Sequence, residues 1–260
     1  MRTAQQMIAY ALEIDEELLP FVTELLADFD ELGSDAEAIT REIGQLELPP
    51  NARVLDLGCG KGAVAIEIAR ELGLAVFGVD LYEPFIPLCE RAAAEAGVDA
   101  LCTFRCADVQ SLDTTHPEQL PADVAVYAAL GDVLGPFDAT VGILRRYVRP
   151  GGYLVLYDDY VRDGGTTDFE RFDNYVSRGA MVEQLEAHGD TLLRRVETPA
   201  TEIAASHDTE GAWIRRRALE LAERHPELRE AFLEFAKEQQ AEMDFLEANM
   251  VAAVWILKRS

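Results

Sequence analysis

The chain has 260 residues, with 48 Asp and Glu residues against 23 Lys and Arg residues, which gives a formal net charge of −25. This negative charge argues against nucleic acid or an anionic membrane surface as the main partner, because both would repel the protein at long range. The hydrophobic content of 49% is enough to bury a sizeable core and excludes disorder as the main state. We therefore expect a folded protein that binds a small molecule or another protein.

The chain carries no feature of a secreted or membrane-spanning protein. Its four cysteines lack the density of a disulfide scaffold, no basic and apolar leader opens it, and no apolar run is long enough to cross a bilayer. The cysteines and histidines do not cluster at ligand spacings, so no metal site is predicted. We therefore expect a cytoplasmic protein with reduced thiols, and the sequence indicates no oligomeric state.

Residues 1–50 have the pattern of helices. Apolar residues recur at helical spacing in the first part of this segment. Further along, Ser34 with Glu37 resembles a capping box at the start of a second helix, and the Pro49-Pro50 pair ends that helix. We therefore predict a helical N-terminal arm.

From residue 53 the pattern changes to short apolar runs that alternate with amphipathic helical stretches. This alternation is typical of β-α-β units and a parallel sheet. The predicted strands are Arg53–Leu57, Ala75–Val79, Cys102–Cys106, Asp123–Ala128, Tyr153–Tyr157, Leu192–Val196 and Val251–Leu257. The intervening helices are predicted near 63–71, 84–95, 137–148 and 181–187.

The stretch between the last two predicted strands is about 50 residues long, which is too long for a simple connection. Its apolar spacing predicts two helices, over 208–224 and 228–246. We interpret this pair, together with the arm, as a cap beside a pocket. The predicted organisation is an arm over 1–50, a cofactor-binding core over 51–200, a two-helix cap insertion over 201–249 and a final core strand over 250–260.

The first predicted strand runs directly into a loop with glycines at positions 58, 60 and 62. Glycines let the backbone turn sharply and approach a ligand closely, and the following helix N-terminus offers free N–H groups to an anion. Ala63 also completes the dinucleotide fingerprint G-x-G-x-x-G/A. The loop is therefore a nucleotide-binding candidate, and a nicotinamide dehydrogenase is one of the functions it allows.

Asp56 bears on which nucleotide the loop binds. A carboxylate two residues before the first glycine would repel a pyrophosphate. S-adenosylmethionine has no phosphate; its ammonium suits a nearby carboxylate, and its own carboxylate suits the amides of the loop and helix. The loop therefore favours S-adenosylmethionine, with the dehydrogenase as an open alternative.

Two further acids follow the next two predicted strands. Asp80 lies 22 residues after Gly58, where a carboxylate can accept both hydroxyls of a ribose. Asp108 lies just beyond the third strand, where it can accept a hydrogen bond from an adenine amino group. Three acids at the carboxyl ends of three consecutive strands are better explained by one ligand than by three separate turn residues.

With these motifs the chain resembles the class I S-adenosylmethionine-dependent methyltransferases. The resemblance rests on residues 54–60, 78–80, 107–108 and 144–152. The residues that it implies for the cofactor site are Asp56, Gly58, Cys59, Gly60, Gly62, Asp80, Leu81, Ala107, Asp108 and Val109.

The same resemblance implies a fold and a reaction. The fold is α/β, a Rossmann-like, mostly parallel seven-stranded sheet in the order 3-2-1-4-5-7-6 with the last strand antiparallel, helices on both faces and a helical cap. The reaction is transfer of a methyl group from S-adenosylmethionine to an O, N or S atom of a small molecule, with release of S-adenosylhomocysteine. Two alternatives stay open: an enzyme that binds this cofactor for other chemistry, and a noncatalytic sensor or partner protein.

The methyl acceptor is expected at the carboxyl ends of the fourth and fifth strands, because ligands of α/β sheets bind at such ends. The segments that follow those strands carry Asp132 and Asp158. Partial burial would raise the pKa of either carboxyl toward neutrality, which suits a general base. Both are therefore candidate catalytic residues, although methyl transfer to a well-oriented nucleophile can proceed without a base.

Overall fold

The computed structural model describes residues 3–112, 120–169 and 172–260. Its strands are β1 (Arg53–Leu57), β2 (Ala75–Asp80), β3 (Cys102–Cys106), β4 (Ala122–Ala128), β5 (Val148–Val161), β6 (Thr191–Glu197) and β7 (Met250–Lys258). They form a seven-stranded sheet in the order β3-β2-β1-β4-β5-β7-β6. The predicted strand order is therefore confirmed.

The pairing directions place a crevice in the middle of this sheet. β1 pairs in parallel with β2 and β4, β2 with β3, and β4 with β5, whereas β6 and β7 are antiparallel. The chain proceeds from β1 toward β2 on one side and later returns to β4 on the other. Connections therefore leave the carboxyl ends of β1 and β4 in opposite directions, which opens a space for a ligand.

Nine helices are present in the described residues. They are α1 (Ala4–Ala11), α2 (Val22–Leu25), α3 (Ala36–Ile43), α4 (Ala63–Leu72), α5 (Ile86–Glu95), α6 (Phe137–Leu144), α7 (Arg178–Leu185), α8 (Ala200–Arg224) and α9 (Arg229–Asn249). α8 begins eight residues before the predicted start, since polar residues over 200–207 interrupt the apolar spacing there. None of the described helices combines the length and apolar character needed to cross a membrane.

The N-terminal segment is less regular than predicted. Between α1 and α2 the chain forms a short 3-10 helix over Glu16–Phe21, which contains Pro20. The predicted Ser34 capping box is wrong, because Asp35 is the N-cap of α3 and its carboxylate accepts from the Ala38 amide at 2.8 Å. A charged oxygen is the stronger acceptor, and the Asp35 carboxylate displaces the serine from this role.

β5 is longer than predicted, and a hydrogen bond near its start joins it to β4. The prediction covered only 153–157, because the Pro-Gly-Gly sequence reads as a turn and two acids follow the apolar run. The buried Asp123 of β4 accepts from the Arg53 amide of β1 at 2.8 Å and from Arg149 Nε of β5 at 2.5 Å. One carboxylate thus joins three neighbouring strands and helps to set their register.

Two compact units divide the chain. One comprises residues 3–29, 161–169, 172–173 and 198–251, and the other comprises 30–112, 120–160, 174–197 and 252–260. The beginning of the chain therefore belongs to the same unit as α8 and α9, whereas residues 30–50 belong with the sheet.

The first unit is held together partly by Asp28. Its carboxylate accepts from Arg217 Nε at 2.6 Å and Nη2 at 2.7 Å, and it also pairs with Arg216. These hydrogen bonds to the two guanidinium groups lower the pKa of Asp28 to about 2. Next to this cluster, the Phe29 and Trp213 rings meet edge to face at 5.4 Å. The end of the N-terminal segment thus packs on α8 through both charge and aromatic contacts.

Candidate active site

A groove lies at the carboxyl ends of β1 and β4, entirely within the second unit. It encloses about 320 Å³, part of it open to solvent. Its walls are the glycine loop that follows β1, the start of α4, Ala128 at the end of β4, and residues 30, 32 and 34. The groove therefore occupies the crevice that the strand order opens.

The glycine loop adopts a backbone that only glycine tolerates well. Gly58, Gly60 and Gly62 have φ angles of +74°, +52° and +88°. The Gly58 and Cys59 amides both donate to the Val79 carbonyl, and the Gly62 amide donates to the Cys59 carbonyl. Several loop amides are thus satisfied within the protein, and the N-terminus of α4 adds further donors for a bound anion.

Asp80 holds the glycine loop against the end of β2. One carboxylate oxygen accepts from the Gly60 amide at 2.8 Å, and the other accepts from the Tyr82 amide at 2.8 Å. Burial raises the pKa of Asp80 to about 6, although these amide bonds oppose the rise. The carboxyl is therefore placed beside the loop and has lone pairs left for a further donor.

Asp56 is the clearest unsatisfied group in the groove wall. The residue is only 2% exposed, and its Oδ2 atom has no hydrogen-bond partner. Burial and the nearby Asp80 carboxyl raise the pKa of Asp56 to about 7, against a hydrogen bond from the Ala65 amide. A buried carboxyl without a full set of partners is costly, and a cationic ligand group in the groove would relieve that cost.

The residues predicted for the adenine end lie together at the ends of β2 and β3. The Ala107 amide donates to the Asp80 carbonyl at 2.9 Å, and the Tyr147 hydroxyl donates to the Val109 carbonyl at 2.7 Å. Asp108 accepts from the Gln110 amide at 2.8 Å and caps a short 3-10 turn. One of its oxygens is thus engaged in a turn, and the cofactor role of Asp108 stays a prediction.

The two candidate catalytic acids have different surroundings. Asp132 is partly exposed, and its Oδ2 accepts from Asn174 Nδ2 at 2.5 Å. Asp158 is 5% exposed, and its carboxyl receives hydrogen bonds from the Tyr175 hydroxyl and the Gly131 amide. Burial and the neighbouring Asp159 raise the pKa of Asp158 to about 8 in spite of these bonds. Asp158 is therefore a buried carboxyl that holds its proton.

Replacing Asp158 with Asn is expected to change how stability depends on pH. In the unfolded chain this carboxyl ionises near its ordinary pKa of 3.8, whereas the folded protein keeps the proton until about pH 8. The wild-type protein therefore loses stability as the pH rises through this window, and the cost is complete above it. Asp158→Asn has no carboxyl to ionise and avoids this cost. The Tm of the variant minus the Tm of the wild type should therefore increase from pH 5 to pH 9.

Calorimetric melting at several pH values measures this difference, with Asp163→Asn on an exposed segment as the control. A Tm difference for Asp158→Asn that stays constant from pH 5 to pH 9 would contradict a proton held by this carboxyl.

Three contacts of the site carry no signal in the sequence pattern. The Leu130 side chain lies over the glycine loop, since a Cβ on Gly58 would clash with Leu130 Cδ1. Leu32 lies over Gly60 in the same way, at 3.1 Å. The Tyr175 hydroxyl is 2.7 Å from a Cβ position on Gly131. All three join segments that are far apart in the chain, so local periodicity does not reveal them.

Among the described residues, no group of three or more His, Cys, Asp or Glu side chains has the geometry to hold a metal ion.

Several known proteins are similar to this chain in sequence. Uncharacterized protein YjhP of Escherichia coli is 28% identical over 123 residues, which cover 47% of this chain and 48% of that protein. The chain thus spans about half the length of YjhP. The 27-O-demethylrifamycin SV methyltransferase of Amycolatopsis mediterranei is 29% identical over 223 residues, which cover 82% of this chain and 78% of that enzyme.

A solved structure shares the fold. An S-adenosylmethionine-dependent methyltransferase from Geobacter sulfurreducens, in complex with S-adenosylhomocysteine, superposes with a TM-score of 0.76 at 22% identity, over 93% of this chain and 98% of that one. In addition, residues 48–212 match the family model of the methyltransferase domain, which is more than half of the chain. The glycine loop, the strand order and this match agree, and the chain belongs to the methyltransferase-domain family.

Proposed function

We propose that the protein is an S-adenosylmethionine-dependent methyltransferase that acts on an O, N or S atom of a small molecule and releases S-adenosylhomocysteine. The observation that carries this proposal is Asp56, a buried carboxyl with an unpartnered oxygen in the wall of a groove beside a glycine loop. A carboxyl in this position suits the ammonium of the cofactor and would repel a pyrophosphate.

Different residues would contact different parts of the cofactor. Asp80 would accept the ribose hydroxyls, and Asp108 would accept from the adenine amino group, with Leu81, Ala107 and Val109 beside them. At the other end, Asp56 would hold the ammonium, and the first amides of α4 would bind the carboxylate. The bends at Gly58, Gly60 and Gly62 place this backbone at the groove, and the buried Cys59 fills the space beneath it.

The acceptor would lie beyond the ends of β4 and β5. When bound, the cofactor supplies a methyl group on a positively charged sulfur. The protein then has to orient the acceptor and receive its proton. Asp132 is the partly exposed candidate for direct contact. Asp158 is buried and keeps its own proton until about pH 8, so only its ionised form would receive the acceptor's proton, through the Tyr175 hydroxyl that donates to it.

The relatives support a small-molecule acceptor in place of nucleic acid or a membrane. The Amycolatopsis mediterranei relative matches 82% of this chain and acts, by its name, on 27-O-demethylrifamycin SV. The charge of −25 agrees with such an acceptor, because a polyanion would be repelled. A cytoplasmic location and a capping role for α8 and α9 are part of the same proposal. Family membership disfavours the noncatalytic alternative.

Calorimetric titration of the full chain with S-adenosylmethionine, S-adenosylhomocysteine and NAD tests the cofactor assignment. We expect micromolar binding of both sulfur nucleotides, no binding of NAD, and little dependence on salt, because the polar contacts are buried. Release of S-adenosylhomocysteine in the presence of a panel of phenols, amines and thiols then identifies the acceptor class. Binding of NAD without binding of S-adenosylhomocysteine would overturn the proposal and favour the dehydrogenase alternative.

A further inference from the structure

The short segment 30–35 forms one wall of the groove and is held in place at several points. Leu32 packs over Gly60 of the glycine loop, and Gly33, with φ of +75°, approaches the Ala129 side chain after β4, with 3.4 Å between its Cβ position and Ala129 Cβ. Glu31 Oε2 accepts from the Ala36 amide at 2.9 Å at the start of α3. The segment is thus anchored to both strand ends that border the groove.

The strand order shows which end of the cofactor this wall faces. Asp80 and Asp108 follow β2 and β3, which lie on one side of β1. The groove that residues 30–34 line lies at β1 and β4, on the other side of the ribose position. A cofactor with its adenine at β3 and its ribose at β2 therefore places its amino-acid end in this groove.

Two acidic residues line the groove at that end. Asp30 is exposed and lines the same cavity as Asp56, whose Oδ2 atom is buried and has no partner. An ammonium has three donors and a positive charge, so one ligand group in this cavity suits both acids. The glycine-loop motif includes only one of the two.

We propose that Asp30 is a second carboxylate for the α-ammonium of S-adenosylmethionine, supplied from outside the glycine-loop motif and acting together with Asp56. This inference rests on the proposed function. It assigns a specificity role to the segment before α3: Asp30 selects nucleosides that carry an amino-acid end over nucleosides that lack one.

The test compares three ligands on the Asp30→Asn variant of the full chain by calorimetry. S-adenosylmethionine and S-adenosylhomocysteine carry the ammonium, whereas 5′-methylthioadenosine lacks it and keeps the adenosine and the sulfur. We expect Asp30→Asn to lower the affinity for S-adenosylmethionine and for S-adenosylhomocysteine by about tenfold, as for the loss of a charged hydrogen bond. The affinity for 5′-methylthioadenosine should change by less than about twofold. Glu37→Gln, an exposed acid on nearby α3, is the matched control and should change none of the three.

Each other outcome overturns the inference. Equal weakening of all three ligands would mean that Asp30 supports the loop and not the ammonium. Weakening of S-adenosylmethionine alone would assign Asp30 to the sulfonium. Unchanged affinities would remove it from the site. If Asp30→Asn unfolds, Asp30→Ser replaces it with a smaller polar residue in the same comparison. A wild-type chain that binds none of the ligands would overturn the proposed function itself and this inference with it.

Discussion

Asp80→Ala is expected to lower the affinity for S-adenosylhomocysteine by about 30-fold or more, which corresponds to about 2 kcal/mol. The variant loses a charged acceptor for the ribose and also the acceptor of the Gly60 and Tyr82 amides. Those two donors are part-buried, so leaving them unpaired adds to the cost, and the glycine loop loses one of the hydrogen bonds that hold it to β2. Calorimetric titration with S-adenosylhomocysteine measures the change.

Loss of the ribose contact should also affect a ligand that has no amino-acid end. 5′-Methylthioadenosine keeps the ribose, so Asp80→Ala should lower the affinity for it as strongly as the affinity for S-adenosylhomocysteine. Asp30→Asn, by contrast, should leave the affinity for 5′-methylthioadenosine almost unchanged. Asp99→Ala removes an exposed acid from the turn before β3 and should leave both affinities unchanged. An Asp80→Ala variant that binds both ligands like the wild type would rule out the assigned ribose position.

Gly152→Ala is expected to cause a large loss of stability. A Cβ at this position would lie 2.6 Å from the Asp123 carbonyl oxygen, 2.6 Å from Val148 Cγ1 and 3.0 Å from the Arg149 carbonyl oxygen. Two of these atoms are backbone and cannot move without shifting β4 or β5. A cost of about 3 kcal/mol is typical of such overpacking, and it lowers the Tm of a chain of this size by about 6 to 12 °C.

Gly179→Ala is the matched control for this change. Gly179 lies in α7, and nothing is within 4 Å of its Cβ position. Alanine is favoured over glycine in a helix by about 1 kcal/mol, so this variant should melt at the wild-type temperature or slightly above it. A Gly152→Ala protein with an unchanged Tm, measured by differential scanning calorimetry, would show that β4 and β5 do not approach as closely as described.

The elements that the sequence predicted correctly are those with local signals. The strands before Gly58 and Asp80 are short apolar runs, and their ends are marked by a glycine loop and an acid. β4 is buried along its whole length, as parallel strands covered on both faces are, and it was predicted within one residue. By contrast, β5 was predicted too short, because Asp158 continues the strand although its side chain is polar. The spacing of apolar residues does not predict that a charged residue is buried, because such burial depends on residues far away in the sequence.

The sequence by itself determined the fold class, the glycine loop and the acids at the ends of β1, β2 and β3, because each depends on residues close together in the chain. Only the tertiary structure decided which side chains surround them. Asp30 reaches the groove because Leu32 and Gly33 pack on the loop and on the end of β4, and Tyr175 reaches Asp158 from a separate segment. Such contacts join residues that are far apart in sequence. The positions of these side chains are set by packing and burial, and local conformational preference does not predict them.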